Sequence, residues 1–189
     1  RAPLYARPAP IAPDSDLRAE IAASAARTSA PKERAFAALR LVEDKTRYFF
    51  VGIGDGGYVP APADLTWSRK FGDCKGKTVL LLAILKELGV PAEPALVSLG
   101  GGDGMNERLP SLAAFNHVIV RSRIDGKVYW LDGTRTGDRS GLEALRPPPH
   151  RWALPVRAAG ADLEAIEMTP LDAPQLEATL SLDASRGLD

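Results

Sequence analysis

The sequence is poor in the residue patterns that mark several common classes of protein. It has one cysteine among 189 residues, so it can form neither an internal disulfide nor an all-thiolate zinc site. Its 24 Lys and Arg residues balance its 24 Asp and Glu residues, so attraction to nucleic acid or to an anionic membrane is not expected. No apolar run approaches the roughly 20 residues of a membrane-spanning helix. What is present is the composition of one domain with a hydrophobic core.

The chain divides by composition into three parts. Residues 1–13 carry four prolines and little periodicity, which predicts an extended linker or leader. Residues 14–150 hold the periodic segments and form the predicted core domain. Residues 151–189 form a C-terminal extension, in which Leu176–Leu182 is a predicted strand and the possible start of a following β domain. Because the chain begins Arg-Ala-Pro without an initiator Met or a signal peptide, we interpret it as an excised piece.

Two helices and a loop are predicted before the cysteine. Asp14 or Ser15 can cap a helix over residues 16–27, and Pro31 can occupy the first turn of a second helix. Gly- and Pro-rich residues 52–63 predict a long loop. The apolar residues that recur every third position in the second helix are expected to face the core: Phe36, Leu39 and Val42.

The most strongly predicted helix runs from Cys74 to Leu88. Its many leucines leave few polar sides, so it should be buried on most of its circumference. Gly89 ends it, and Pro91 prevents its continuation. Cys74 therefore lies at a helix start, where unpaired backbone N–H groups and the helix dipole favour a thiolate and can bind an oxyanion. Asp73, just before it, is interpreted as a helix cap.

Strands follow this helix. Glu93–Leu99 is a predicted strand, and the glycines of residues 100–104 predict a loop, for which plain flexibility is the preferred interpretation and a lid the alternative. Asp125-Gly126 is a hairpin turn signal between two further strands, Asn116–Ile124 and Lys127–Gly133. The fold class predicted is α+β, with the cysteine-bearing helix packed on an antiparallel sheet.

The hairpin register brings a histidine and an aspartate together. If Asp125 and Gly126 are the two turn residues, His117 opposes Thr134, and Asp132 is its diagonal neighbour on the same face. Diagonal neighbours lie about 7–8 Å apart, within reach of longer side chains. The register thus predicts a His117–Asp132 hydrogen bond, which would fix the imidazole tautomer and leave the other ring nitrogen for the thiol. Trp130 shares this face and could exclude water.

These residues resemble those of a known family. Three ordered motifs resemble the core of the bacterial transglutaminase-like superfamily: Gly72-Asp73-Cys74-Lys75 opening a helix, Asn116-His117 on a strand, and Tyr129-Trp130-Leu131-Asp132-Gly133-Thr134. The resemblance covers residues 31–134 and implies a papain-like α+β fold with Cys74 as nucleophile, His117 as base and Asp132 as orienting acid. It also implies neighbouring domains in an exported protein. One departure is Gly76, where many relatives have an acidic residue.

Alternative functions remain open at this point. The favoured one is cysteine-dependent acyl transfer on peptide or side-chain amides, with hydrolysis preferred over amine crosslinking and with no cofactor. A second is an inactive binding module, and a third treats Cys74, His117 and Asp132 as zinc ligands. His150 is expected to be an exposed loop residue. A second oxyanion donor could come from one of three upstream aromatic residues: Tyr48, Tyr58 and Trp67.

Overall fold

Helices packed against one face of an antiparallel sheet form the architecture. The computed structural model describes residues 10–50, 59–100, 102–147, 149–168 and 177–183, together with the single residues 5, 57, 185 and 187. The helices in this part of the chain are α1 (Leu17–Arg27), α2 (Pro31–Lys45), α3 (Ala63–Arg69) and α4 (Cys74–Glu87). The strands are β1 (Arg47–Tyr48), β2 (Phe71–Gly72), β3 (Ala92–Val97), β4 (His117–Ile124), β5 (Lys127–Leu131), β6 (Trp152–Pro155) and β7 (Glu164–Ala165). The predicted α+β class is confirmed.

Strand pairing produces one large sheet and one small one. The large sheet has the order β5-β4-β3-β6-β7, and all of its neighbours are antiparallel. The small sheet pairs β1 with β2 in parallel, so the chain leaving α2 runs beside the residues that enter α4.

Helix α4 is the centre of the core. Every residue from Cys74 to Leu85 is buried, as the run of leucines predicts. It packs against α2 and α3 on one side and against β3 and β4 on the other. Gly89 follows it with a φ of +71°, a left-handed conformation that glycine adopts without strain, and this explains the predicted stop.

The start of α1 differs from the prediction. Asp16 stands at its N-cap position, and neither Asp14 nor Ser15 provides the expected side-chain cap. Asp16 instead accepts a hydrogen bond of 2.6 Å from the indole N–H of Trp67 on α3. A tertiary contact has therefore replaced the local cap, which sequence spacing cannot reveal. Pro31 does begin α2, as predicted.

Helix α3 was not predicted. It begins at Ala63, where the long loop was expected to end, and it contains only seven residues, too few for a clear helical period. Half of the predicted loop, residues 52–56 and Tyr58, lies outside the described residues.

The hairpin of β4 and β5 has the predicted register. Ile124 pairs with Lys127, and Val120 pairs with Leu131. The turn residues Asp125 and Gly126 have φ values of +51° and +81°, the left-handed pair expected of a tight two-residue turn.

The sheet continues beyond residue 150. Strand β6 pairs with β3, and β7 pairs with β6, so both add to the core sheet. Glu164 of β7 accepts a 2.7 Å hydrogen bond from Arg121 of β4. The periodicity of the sequence does not predict this charged contact. The predicted strand at Leu176–Leu182 is wrong for residues 177–182, which form no strand; residue 176 lies outside the described residues.

Within the described ranges, none of the helices is both long enough and apolar enough to cross a membrane.

Close packing of α3 against α4 explains the glycine at position 76. A Cβ atom at Gly76 would lie 2.9 Å from the Thr66 hydroxyl oxygen of α3, closer than such atoms normally approach. Thr66 is fully buried, so it has little room to move. Any side chain at position 76 would push the two helices apart.

We predict that Gly76→Ala lowers the free energy of unfolding by about 1–3 kcal/mol through overpacking. At a helix position without a clash, replacing glycine by alanine would raise the free energy of unfolding by up to about 1 kcal/mol. The change predicted here therefore has the opposite sign. Denaturant unfolding checks it. In a Thr66→Ala background the cost should disappear, whereas Thr66→Ser, which keeps the hydroxyl, should preserve it. A stabilising Gly76→Ala in the wild-type background would contradict the packing account.

Candidate active site

Cys74 occupies the first position of α4, directly after β2. The preceding Asp73 caps the helix, since its Oδ1 accepts a 2.9 Å hydrogen bond from the Gly76 N–H, as predicted. Its Oδ2 is ion-paired with the Lys75 ammonium. The carboxylate is thus neutralised locally and does not present an uncompensated charge to the sulfur. Cys74 itself is 7% exposed, at the surface end of the buried helix.

His117 and Asp132 form the hydrogen bond that the hairpin register predicts. The His117 Nε2 and Asp132 Oδ2 atoms are 2.9 Å apart, and both side chains are at least 95% buried. The other carboxylate oxygen of Asp132 accepts hydrogen bonds from the Thr134 N–H (3.0 Å) and hydroxyl (2.7 Å). Asp132 is therefore held on both oxygens, which fixes its orientation toward the imidazole.

The cysteine and histidine interact across the gap between α4 and β4. The Thr78 hydroxyl, one turn along α4 from Cys74, donates to the Val118 carbonyl next to His117, at 3.1 Å. This contact aligns the helix start with the strand start. Hydrogen bonding and charge interaction with the Cys74 side chain both act on His117. Because Nε2 is bonded to Asp132, Nδ1 is the ring nitrogen available to the sulfur.

The electrostatics of the pair favour a charged histidine. Burial by itself lowers the pKa of His117, but hydrogen bonds with Asp132 and Cys74 outweigh it and raise this pKa to about 9. Burial by itself raises the pKa of Asp132, and the contacts with His117 and Thr134 lower it overall. At neutral pH the site therefore holds an imidazolium beside a carboxylate.

Two further ionisable groups are buried near the triad. Lys77 is fully buried, and its ammonium donates a 2.7 Å hydrogen bond to the Thr46 carbonyl at the end of α2. Burial lowers the pKa of Lys77 to about 8, against the attraction of Glu43 and Asp132. Burial also raises the pKa of Glu43 to about 8. Lys77 joins the base of α4 to the chain that leads into β1.

Of the three aromatic residues considered as oxyanion donors, one fits. The Trp67 N–H is bonded to Asp16, and Tyr58 lies outside the described residues. Tyr48 on β1 is close enough to Cys74, Asp73 and Asp132 that, after burial, their negative charges raise its pKa. Its phenol group thus stays protonated at neutral pH and is a hydrogen-bond donor.

His150 does not occupy the expected position. It is 2% exposed rather than an exposed loop residue, and its ring centre lies 6.0 Å from that of His117. The prediction was wrong because it rested on the prolines before His150, whereas strand β6 begins two residues after it and draws it against the sheet. The continuous apolar run Trp152–Pro155 was the available signal.

A cavity of about 690 Å³ lies elsewhere, between the edge strands β5 and β7. Trp130 and Glu143 contribute to its lining, but none of the three triad residues does. Cys74, His117 and Asp132 are therefore not part of this cavity.

The geometry does not favour the zinc alternative. Among the residues that the structure describes, no group of three or more His, Cys, Asp or Glu side chains converges as metal ligands do. The Nε2 of His117 and the Oδ2 of Asp132 are directed at each other, so neither is presented to a shared ion.

Structural comparison supports the fold. A candidate protease from Parabacteroides distasonis superposes with a TM-score of 0.57 at 18% identity, over 84% of this chain and 29% of that one. A structure described as a TGase gives a TM-score of 0.47 at 19% identity, over 66% of this chain and 33% of that one. A candidate cysteine protease from Cytophaga hutchinsonii gives 0.41 at 15% identity, over 78% and 48%. The likeness to the Parabacteroides distasonis protein shows a shared fold over most of this chain. This chain spans less than half the length of each of these proteins.

No family model matches the sequence. The curated proteins likewise contain no match to it.

We predict that Asp132→Asn destabilises the protein in a pH-dependent way. The pKa of His117 is raised from 6.5 to about 9, so its stabilising contribution is complete below about pH 6.5 and is lost as the pH rises through about 9. This contribution amounts to about 3 kcal/mol at most. The difference in unfolding free energy between wild type and Asp132→Asn should therefore shrink from pH 6 toward pH 10.

Using a difference between proteins matters here, because Glu43, whose pKa is raised to about 8, titrates in this range in both. In a His117→Gln background, Asp132→Asn should show no such dependence on pH. A wild-type difference that stays constant over this range would show that His117 is not charged in the folded state.

Proposed function

We propose that this chain is the core of a cysteine-dependent acyl-transfer enzyme that acts on peptide or side-chain amides. The observation that carries the proposal is the buried row Asp132–His117–Cys74, in which one carboxylate fixes one imidazole nitrogen and leaves the other for a thiol at a helix start. The raised pKa of His117, about 9, keeps its ring protonated and so supports a thiolate–imidazolium pair.

The reaction begins with attack of the Cys74 thiolate on an amide carbonyl carbon. The negative charge that develops on the carbonyl oxygen is held by the backbone N–H of Cys74, which has no partner within the helix at this position, and by the Tyr48 hydroxyl. His117 then gives its Nδ1 proton to the leaving amine, and the carbon–nitrogen bond breaks to leave a thioester on Cys74. Asp132 stabilises the imidazolium throughout.

The thioester has two possible fates. Water would resolve it in a peptidase, and a second amine would resolve it in a transglutaminase. Hydrolysis is the preferred fate in this proposal. Neighbouring domains of the same polypeptide and an exported setting complete the proposal, and both rest on the resemblance of the triad motifs alone.

The alternative is a module that keeps this fold but only binds partners in the cleft. The limited exposure of Cys74, 7%, is the observation in its favour, because a substrate carbonyl must reach the sulfur through a narrow opening. A module of this kind would work normally after Cys74→Ser.

We predict that iodoacetamide labels Cys74 rapidly at pH 6 and that His117→Gln slows this labelling by a factor of about 100. The reason is that an imidazolium partner stabilises the thiolate at a pH where an ordinary thiol is almost fully protonated. Mass spectrometry of the labelled protein gives the rate directly, since Cys74 is the single cysteine. Slow labelling that His117→Gln leaves unchanged would exclude an activated thiolate.

We further predict that a set of peptide-amide substrates will yield a Cys74 acyl adduct and free carboxylate. The kcat/KM for hydrolysis should fall as the pH rises through about 9, because His117 must be protonated to release the amine. Cys74→Ala should lower it by a factor of about 1,000 or more. Adding a primary amine tests for transamidation. A substrate set that acylates wild type and Cys74→Ala equally would refute the proposal.

A further inference from the structure

His150 is a buried histidine with one ring nitrogen that lacks a partner. Its side chain lies inside the protein, and its Nδ1 is 3.0 Å from the Ser98 carbonyl oxygen. Its Nε2 has no hydrogen-bond partner among the described residues. Buried polar atoms are almost always hydrogen-bonded, so this nitrogen requires a donor that the described residues do not supply.

Strand pairing places His150 beside the triad histidine. Val97 of β3 pairs with His117 of β4 on one side and with Ala153 of β6 on the other. His150 precedes β6 at the same end of the sheet. Its ring therefore lies next to that of His117, with the ring centres 6.0 Å apart.

The backbone around His150 holds the ring in this place. The Trp152 N–H donates a 2.7 Å hydrogen bond to the His150 carbonyl across Arg151, whose φ is +65°. Gly102 packs against the same carbonyl so closely that a Cβ atom there would lie 2.0 Å from it. This local structure fixes the position of a side chain that no other part of the proposed mechanism uses.

The hydrogen bond to Ser98 also fixes the role of each nitrogen. A carbonyl oxygen only accepts, so Nδ1 carries the proton and donates it. Burial lowers the pKa of His150, and the nearby charge of His117 lowers it as well, against the effect of the Ser98 carbonyl. The ring is neutral at neutral pH, and its Nε2 is a hydrogen-bond acceptor.

The spacing of the two rings suits one bridging water molecule. Their centres are 6.0 Å apart with an angle of 43° between the planes. The facing edges of the two rings are therefore close together, and a water molecule that bonds one nitrogen of each ring lies beside the rings rather than between them. A donor that reaches both rings in this way is of the size of water.

We propose that His150 is a further catalytic residue, whose Nε2 accepts a hydrogen bond from the water molecule that hydrolyses the Cys74 thioester. The inference rests on the proposed acyl-transfer function and adds the means by which water is chosen and oriented. After thioester formation His117 is neutral, and its Nδ1 takes one proton from this water. The second hydrogen of the water remains bonded to His150, which aims an oxygen lone pair at the thioester carbon.

The step balances with the groups present. The water oxygen forms a bond to the thioester carbon, and the carbon–sulfur bond breaks with its electron pair remaining on the sulfur. The products are a carboxylic acid, the Cys74 thiolate and a protonated His117. The thiolate–imidazolium pair of the starting enzyme is thereby restored.

The test uses p-nitrophenyl acetate with the whole chain and follows the two half-reactions separately. Release of p-nitrophenol in the burst measures acylation of Cys74, and mass spectrometry measures loss of the acetyl group. His150→Asn keeps a donor for the Ser98 carbonyl but lacks an acceptor at the Nε2 position. His150→Gln keeps an acceptor there and serves as the matched control.

We expect the acylation rate of His150→Asn to lie within about threefold of the wild-type rate. Its loss of the acetyl group should be at least about tenfold slower than in wild type. Hydroxylamine, which attacks thioesters without an oriented water, should restore its turnover. His150→Gln should hydrolyse the acetyl-enzyme within a few-fold of wild type. Equal deacylation in wild type and His150→Asn, or acylation slowed as much as deacylation, would overturn the role of His150.

Failure of the underlying function has a different signature. A wild-type burst that is absent, or that persists in Cys74→Ala, would refute acyl transfer at Cys74 itself. If His150→Asn does not fold, a high-resolution crystal structure of the wild type decides the matter. A water bonded to His150 Nε2 and next to the His117 ring is expected, and a protein atom or an empty contact there would refute the proposal.

Discussion

The hydrogen bond between His117 and Asp132 is the interaction on which the site depends. It decides which imidazole nitrogen faces the cysteine, and it keeps the ring charged in a buried place where burial alone would discharge it. It survives because Asp132 is held on its other oxygen by Thr134 and because the tight turn at Asp125-Gly126 sets the strand register. A shift of one residue in that register would place the two side chains on opposite faces.

The helix that carries Cys74 supplies the other half of the site. Its apolar body is buried from Cys74 to Leu85, so its start cannot move without disturbing the core. Asp73 accepts a hydrogen bond from the Gly76 N–H in the first turn and is ion-paired with Lys75. The Thr78 hydroxyl donates a hydrogen bond to the Val118 carbonyl of β4, next to His117. The same close packing excludes a side chain at position 76, which accounts for the glycine there. The position of Cys74 is therefore fixed by the packing of the whole core.

The features that were predictable from sequence are those that local rules determine. The hairpin register follows from a two-residue turn, α4 follows from its leucines and Gly89, and the Asp73 cap follows from its place before the helix. The features that were missed depend on distant partners. Asp16 bonds Trp67 instead of capping α1, β7 is held by the contact of Glu164 with Arg121, and His150 is drawn inward by β6. No periodicity of the chain encodes these contacts, because each joins residues more than 40 positions apart or depends on sheet order.

The central claim is that His117 is a stabilised cation bonded to Asp132 and facing Cys74, and its direct measurement is an NMR titration of the His117 ring nitrogens. In the wild type we predict that the ring stays protonated until about pH 9, with Nε2 in the hydrogen bond to Asp132. In Cys74→Ala the pKa of His117 should fall, because one of the two hydrogen-bond partners that raise it is gone. A wild-type ring that titrates near its ordinary value of 6.5, unchanged by Cys74→Ala, would contradict the account.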